Sequence, residues 1–202
     1  MYRFFFKRPL DLIAATIGLL LVLPIFLILV IALTIANKGT PFFIQKRPGK
    51  NEKIFSIIKF KTMTDKKDIN GNYLPDAERL TSLGKIVRKT SLDEIPQLIN
   101  IIKGDMSFIG PRPLLIRYLP YYYETEKKRH TIRPGISGLA QVSGRNILNW
   151  DDRLKKDIEY VENLSLTLDF KIFIKTIKNS IVAKDVVVNP NSVIQDLDAI
   201  RS

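Results

Sequence analysis

The chain has no cysteine, one histidine and one tryptophan in 202 residues. The first absence excludes disulfides, a thiolate nucleophile and any cysteine-based zinc site, and it is compatible with a reducing compartment. A single histidine excludes a histidine metal cluster. His130 stands beside Arg129 with no serine nucleophile motif nearby, and reads as a surface residue rather than a general base. Internal repeats, low-complexity tracts and a linker to a second domain are also missing, and the composition is that of one globular domain of ordinary size. Acids are scarce: 20 Asp and Glu face 32 Lys and Arg, a formal charge of +12. That balance points to polyanionic company, whether nucleic acid, anionic lipid or phosphorylated substrates.

Charge of either sign is absent from Leu12 to Ala36. The run exceeds the roughly 20 apolar residues of a straight membrane span, and is too long for a signal-peptide core. Pro24 lies in its middle, where it removes one intrahelical bond and favours a kink or break between Leu12–Leu23 and Pro24–Ala36. Arg3, Lys7 and Arg8 precede the run, and Lys38, Lys46, Arg47 and Lys50 follow it. A spanning helix carries its basic excess on one side, so basic flanks at both ends predict a re-entrant helix that bends at Pro24 and returns. A kinked but complete span is the alternative.

Beyond the apolar run, Pro41–Gln45 and Ile54–Phe60 read as strands of a hairpin around Arg47-Pro48-Gly49-Lys50. Lys59 and Lys61 share one strand face. Residues 65–76 form a polar loop with an Asn70-Gly71 turn. Leu80, Leu83, Ile86 and Val87 predict a helix over 80–89. Leu166 to Val182 predicts an amphipathic helix with Phe170, Phe173, Ile174, Ile177 and Ile181 on one face, bordered by Lys171, Lys175 and Lys178. Such a helix suits the lipid headgroup layer or, as an alternative, a core. The fold class is α+β and mainly helical: a Pro-broken re-entrant membrane helix with basic flank over 1–38, a compact cytoplasmic catalytic domain with a small β-hairpin and interfacial amphipathic helices over 39–183, and a tail without recognisable motif over 184–202.

The most informative stretch runs from Arg88 to Pro113. It carries Arg88 and Lys89, the adjacent acids Asp93 and Glu94, then Lys103, Gly104 and Asp105, and a Gly110-Pro111-Arg112-Pro113 turn. Carboxylates flanked by arginines on turn-rich backbone suit phosphoryl transfer, where a nucleophile or metal ligand works beside cations that hold phosphate. Pro96 is tolerated only in a first turn, so a helix starting near Asp93 and ending before Gly104 places Asp93 or Glu94 at its N-terminus, where anions are favoured. Ser91 to Glu94 also fits a capping box, an ordinary helix start. Against that reading, Pro96 would then lie one residue too deep. Arg133-Pro134-Gly135 and Gly138 form a further turn, followed by Gln141 and Arg145, where exposed amides and arginines can wrap an anion.

Several motifs in order resemble the bacterial sugar transferase family, the monotopic phosphoglycosyl transferases. They are Lys59 to Met63, Ser91 to Glu94 with Pro96-Gln97-Leu98, Lys103 to Ser107, Gly110 to Leu114, Arg133-Pro134-Gly135 with Gly138, and Gln141-Val142 with Gly144-Arg145-Asn146. The likeness runs from Arg8 to about Ile181, and the small size is most like the members that begin N-linked protein glycosylation. The resemblance implies an enzyme that transfers a phosphosugar from a UDP-sugar, expected to be UDP-N,N'-diacetylbacillosamine, to undecaprenyl phosphate with release of UMP. It implies a ping-pong route through an aspartyl phosphosugar on Asp93, with Glu94 as base or orienting group. It implies Mg²⁺ held by Asp93 and Glu94, and phosphate or substrate binding by Lys59, Arg88, Arg112, Gln141 and Arg145. The implied place is the bacterial cytoplasmic membrane, in contact with membrane lipids, catalytic domain inward. Neither nucleic acid nor an obligate protein partner is expected. A non-catalytic basic membrane scaffold that binds anionic lipid or nucleic acid is the reading from a different class.

Overall fold

A computed structural model describes residues 1–144, 148–181 and 195–201. After a wide π-type turn over Tyr2–Phe6, helix α1 spans Lys7–Ala36 as one continuous element of 30 residues, about 45 Å at the α-helical rise. Pro24 lies inside it, so of the kink or break expected there the break does not occur. The reason is packing on both sides of the proline. Ala15 is buried with Phe55, Ile57, Ile101 and Met106 before it, and Leu29 and Leu33 are buried with Phe60 and Val87 after it. Both ends of α1 are tied to the same domain. Lys7 Nζ pairs with Asp169 at 2.6 Å, Arg8 donates to the carbonyls of Ile101 and Ile102, and Asn37 Nδ2 donates to the Lys61 carbonyl at 2.7 Å. The opposite face presents Ile13, Ile17, Leu20, Leu21, Ile28, Ile31 and Ile35 outward, a surface costly to leave in water.

Strands β1 (Phe42–Pro48) and β2 (Ile54–Phe60) pair antiparallel from Phe42↔Phe60 to Pro48↔Ile54. The hairpin is therefore longer than expected, and its turn is the Gly49–Lys53 segment closed by Gly49 N–H to the Lys53 carbonyl at 2.9 Å. Lys59 and Lys61 diverge: Lys59 reaches Glu94, and Lys61 reaches Asp65. The short α2 (Asp76–Arg79) precedes α3 (Ser82–Lys89), which Thr81 caps by accepting the Gly84 N–H at 2.9 Å. Leu80 falls outside α3, bridged to Met63, and Ile86 is exposed, so the buried face is Gly84 and Val87 with Leu83 partly buried beside them.

Next come a single 3₁₀ turn, Leu92–Glu94, and α4 (Gln97–Lys103), stopped by Gly104 at φ 93°. Strand β3 (Ser107–Ile109) leads through a 3₁₀ segment Ile116–Tyr121 to α5 (Glu124–Lys127) and a 3₁₀ turn Lys128–Thr131. Strand β4 (Gly135–Ser137) pairs parallel with β3. A Cβ on Gly135 would lie 2.1 Å from the Gly110 nitrogen, and this close approach holds the Gly110–Pro113 turn in place. Helices α6 (Leu139–Ser143), α7 (Trp150–Glu162) and α8 (Leu166–Ile181) follow, and α9 (Leu197–Ile200) lies in the described part of the tail.

His130 is buried against Tyr122, ring centroids 5.6 Å apart, and is not a surface residue. The α8 stripe is not core: Phe170, Phe173, Ile174 and Ile177 are exposed, while Ile172 turns inward. The lipid-layer alternative fits that geometry.

Candidate active site

Asp93 and Glu94 stand neither at an α-helix N-terminus nor in a capping box. Ser91 takes a left-handed conformation, φ 56°, with no side-chain cap bond, so the chain turns sharply into Leu92–Glu94. Proline lacks the amide needed to continue, and α4 begins only after Pro96. A non-glycine residue at positive φ is uncommon, and such strain gathers at functional sites. On this turn Leu92 and Ile95 pack against the cluster of Leu29, Leu33, Phe60 and Val87, so the acids are seated on the C-terminal half of α1.

The turn opens into a cleft of about 610 Å³. Its lining includes the charged Lys59, Arg88, Asp93, Glu94 and Arg112 and the neutral polar Ser137, Gln141, Thr176 and Asn179. Lys59 Nζ lies 2.6 Å from Glu94 Oε1 and 3.8 Å from Asp93 Oδ2, and Arg112 Nη2 lies 3.5 Å from the same Glu94 oxygen. The two acids are pushed apart in proton affinity. For Asp93, burial raises the pKa, Glu94 adds to it, and Lys59, Arg88 and Arg112 oppose it with a net rise. For Glu94, burial also raises it, but the charges of Arg112 and Lys59 and the hydrogen bond from Lys59 outweigh it and leave the carboxyl below its ordinary value. Glu94 is thus the paired anion, and Asp93 the more basic and less engaged one.

A divalent ion is implied by the family resemblance, and the donor set fits it. Mg²⁺ takes one or two carboxylates and completes its shell with water and substrate phosphate. Asp93 and Glu94 supply two such carboxylates in a cleft built for anions, and among the described residues no group of three His, Cys, Asp or Glu offers an all-protein cage.

Of the expected binding residues, Lys59, Arg88, Arg112 and Gln141 all line this cleft. Gln141 donates to the Ile136 carbonyl at 2.9 Å, and its Oε1 is buried with no partner among the described residues. Arg145 lies outside the described residues. Sequence reasoning missed Arg129, Arg153 and Asp157, which also line the cleft. Arg129 is buried and forks onto Asp157 at 2.8 and 3.1 Å while donating to the Arg112 carbonyl at 2.7 Å. Arg153 and Asp157 are four apart on α7, a spacing that solvated helix pairs share, so the sequence carried no distinguishing signal.

The model of a family described as bacterial sugar transferase matches residues 2–183. An uncharacterized sugar transferase of Bacillus subtilis (strain 168) is 46% identical over 181 residues, 89% of each chain. A UDP-N-acetylgalactosamine-undecaprenyl-phosphate N-acetylgalactosaminephosphotransferase of Aeromonas hydrophila is 38% identical over 186 residues, 86% of this chain and 43% of that protein. An undecaprenyl-phosphate galactose phosphotransferase of Salmonella typhimurium (strain LT2) is 35% identical over 191 residues, 86% of this chain and 40% of that protein. The chain spans about two-fifths of the length of these last two relatives.

Proposed function

The chain belongs to the bacterial sugar transferase family and is a phosphoglycosyl transferase, and we propose that it moves a sugar phosphate from a UDP-sugar to undecaprenyl phosphate through a covalent intermediate on Asp93. The observation that carries this reading is the acid pair on its strained turn, set between the arginines of the cleft and the apolar helix α1. A soluble nucleotide sugar and a lipid phosphate must reach the same atom, and a turn seated on an apolar helix beside a cationic cleft suits that requirement.

In the first step an Asp93 carboxylate oxygen attacks the sugar-bearing phosphorus. A P–O bond forms, the P–O bond to UMP breaks, and UMP leaves with the electron pair. In the second step an oxygen of the acceptor phosphate attacks the same phosphorus, releases the Asp93 carboxylate and gives the polyprenyl diphosphosugar. Lys59, Arg88 and Arg112 hold phosphate oxygens through charge-assisted bonds. Glu94, fixed by Lys59 and Arg112, takes the acceptor's proton or orients its phosphate. Asp93 and Glu94 would hold Mg²⁺, whose charge would offset that of the donor diphosphate.

Helix α1 acts as a re-entrant anchor in the cytoplasmic membrane. The supporting facts are its exposed apolar face, its basic flanks, and the attachment of both its ends to one domain. The exposed α8 stripe with its lysines adds a second contact with the headgroup layer. For the sugar, the family resemblance favours N,N'-diacetylbacillosamine, and the named relatives handle N-acetylgalactosamine and galactose. UMP release from these three UDP-sugars, with and without undecaprenyl phosphate, tests the reading. Release from at least one donor supports it, and no release from any donor under either condition returns the chain to the basic-scaffold reading.

A further inference from the structure

Residues 195–201 lie outside the stretch matched by the family model, yet they are docked into the domain. Leu197 is fully buried in a cluster with Leu114, Tyr118, Tyr122, Trp150 and Leu154. Polar bonds surround it. Trp150 donates its indole N–H to the Gln195 carbonyl at 2.8 Å, and the Tyr118 hydroxyl donates to Asp196 at 2.5 Å. Arg117 pairs with Asp196 and Asp198. Arg201 reaches both oxygens of Glu126, at 2.7 and 2.9 Å, donates to the Tyr121 carbonyl at 3.0 Å, and pairs with Asp151.

These contacts join three elements that are separate in sequence: the 3₁₀ segment Ile116–Tyr121, α5 with Glu126, and the first turn of α7 with Trp150 and Asp151. One of these elements carries a cation of the cleft, and each of the other two adjoins one. Arg112 precedes the first, Arg129 follows the second, and Arg153 sits on the third. Leu114 belongs both to the cluster around Leu197 and to the cleft wall. Side chains in a close-packed cluster transmit displacement rather than absorb it, so the seat of Leu197 bears on the spacing of the three guanidinium groups.

We propose that residues 195–201 are a positioning clasp, which holds Arg112 and Arg153 at the spacing that grips the diphosphate of the nucleotide sugar, with buried Arg129 bracing the Arg112 backbone. The clasp rests on the function proposed above, deepening it with a binding determinant outside the family-matched stretch.

Two full-length variants test it, Leu197→Asp, which puts a charge into the apolar seat, and the milder Arg201→Gln. Trp150 is the sole tryptophan, so its emission reads docking directly. UDP is the binding probe, because its affinity reports on the arginines of the cleft whether or not the chain turns over a nucleotide sugar. A failed transferase reading and a failed clasp are therefore separable. Expected are a red-shifted Trp150 emission in Leu197→Asp and a rise in the UDP Kd of roughly tenfold in both variants, with kcat at saturating donor within about twofold of the parent. If Leu197→Asp does not fold, Arg201→Gln decides by the same affinity measurement. An unshifted emission in folded Leu197→Asp, or an unchanged UDP Kd in Arg201→Gln, overturns the clasp.

Discussion

Lys59 and Glu94 meet at 2.6 Å in the lining of the cleft, joining the end of β2 to the turn that carries both acids. The same ammonium is 3.8 Å from Asp93, so one cation from the hairpin serves two neighbouring carboxylates. Removing it as Lys59→Met leaves that pair facing each other with less compensation and takes a phosphate contact from the cleft. Turnover is expected to fall by about 10²-fold or more, with the chain still membrane-bound. Steady-state UMP release checks this, and a rate within twofold of the parent removes Lys59 from the site.

Glu94→Gln keeps the shape of the side chain and removes its charge. A loss of about 10²–10⁴-fold in transfer is expected for a group that moves or orients a proton. Titration with Mg²⁺ separates its two proposed roles: partial recovery at high Mg²⁺ assigns part of the loss to ion binding, and a flat response assigns it to the acceptor step. An unchanged rate at every Mg²⁺ concentration removes both roles.

How far the sequence revealed this site depends on which forces act locally. Asp93, Glu94, Lys59, Arg88 and Arg112 could be singled out because turn chemistry and clustered charge are written in adjacent residues, and they do share one cleft. The helix start was misplaced because a left-handed Ser91 and a 3₁₀ turn are set by packing of Leu92 and Ile95 on α1, which no local pattern encodes. The Arg129–Asp157 pair escaped for a similar reason, since burial turns an unremarkable arginine into the support of the Arg112 backbone. Periodicity found α8 but left its apolar stripe open between core and lipid. Pro24 pointed to a kink or a break, and the helix runs through it unbroken, packed on the domain on both sides.

His130 gives the pH prediction. Burial, reinforced by the Arg129 charge and opposed by a backbone hydrogen bond at Gly49, lowers its pKa from 6.5 to about 4. Between those values the unfolded chain holds a proton on His130 that the folded chain does not, so stability falls as pH drops from about 6.5 towards 4, by at most about 3 kcal/mol. Thermal unfolding of the parent and of His130→Gln across that window checks it. The variant should lose less stability than the parent as the pH falls, and parallel curves would falsify the assignment.

The membrane arrangement is open to direct labelling because the chain contains no cysteine of its own. Arg3→Cys and Thr40→Cys flank α1. A membrane-impermeant thiol reagent should reach both from the cytoplasmic face and neither from the other. Labelling of the two positions from opposite faces would establish a complete span and remove the re-entrant anchor.

The covalent step on Asp93 is tested most directly by intact-mass measurement after incubation with UDP-sugar and no acceptor. The account predicts an adduct of one phosphosugar on Asp93, release of UMP in matching amount, and discharge of the adduct when undecaprenyl phosphate is added. Asp93→Asn should bind the membrane as the parent does, with no adduct and no UMP release. An adduct that persists in Asp93→Asn, or parent turnover that proceeds without any adduct, would contradict it.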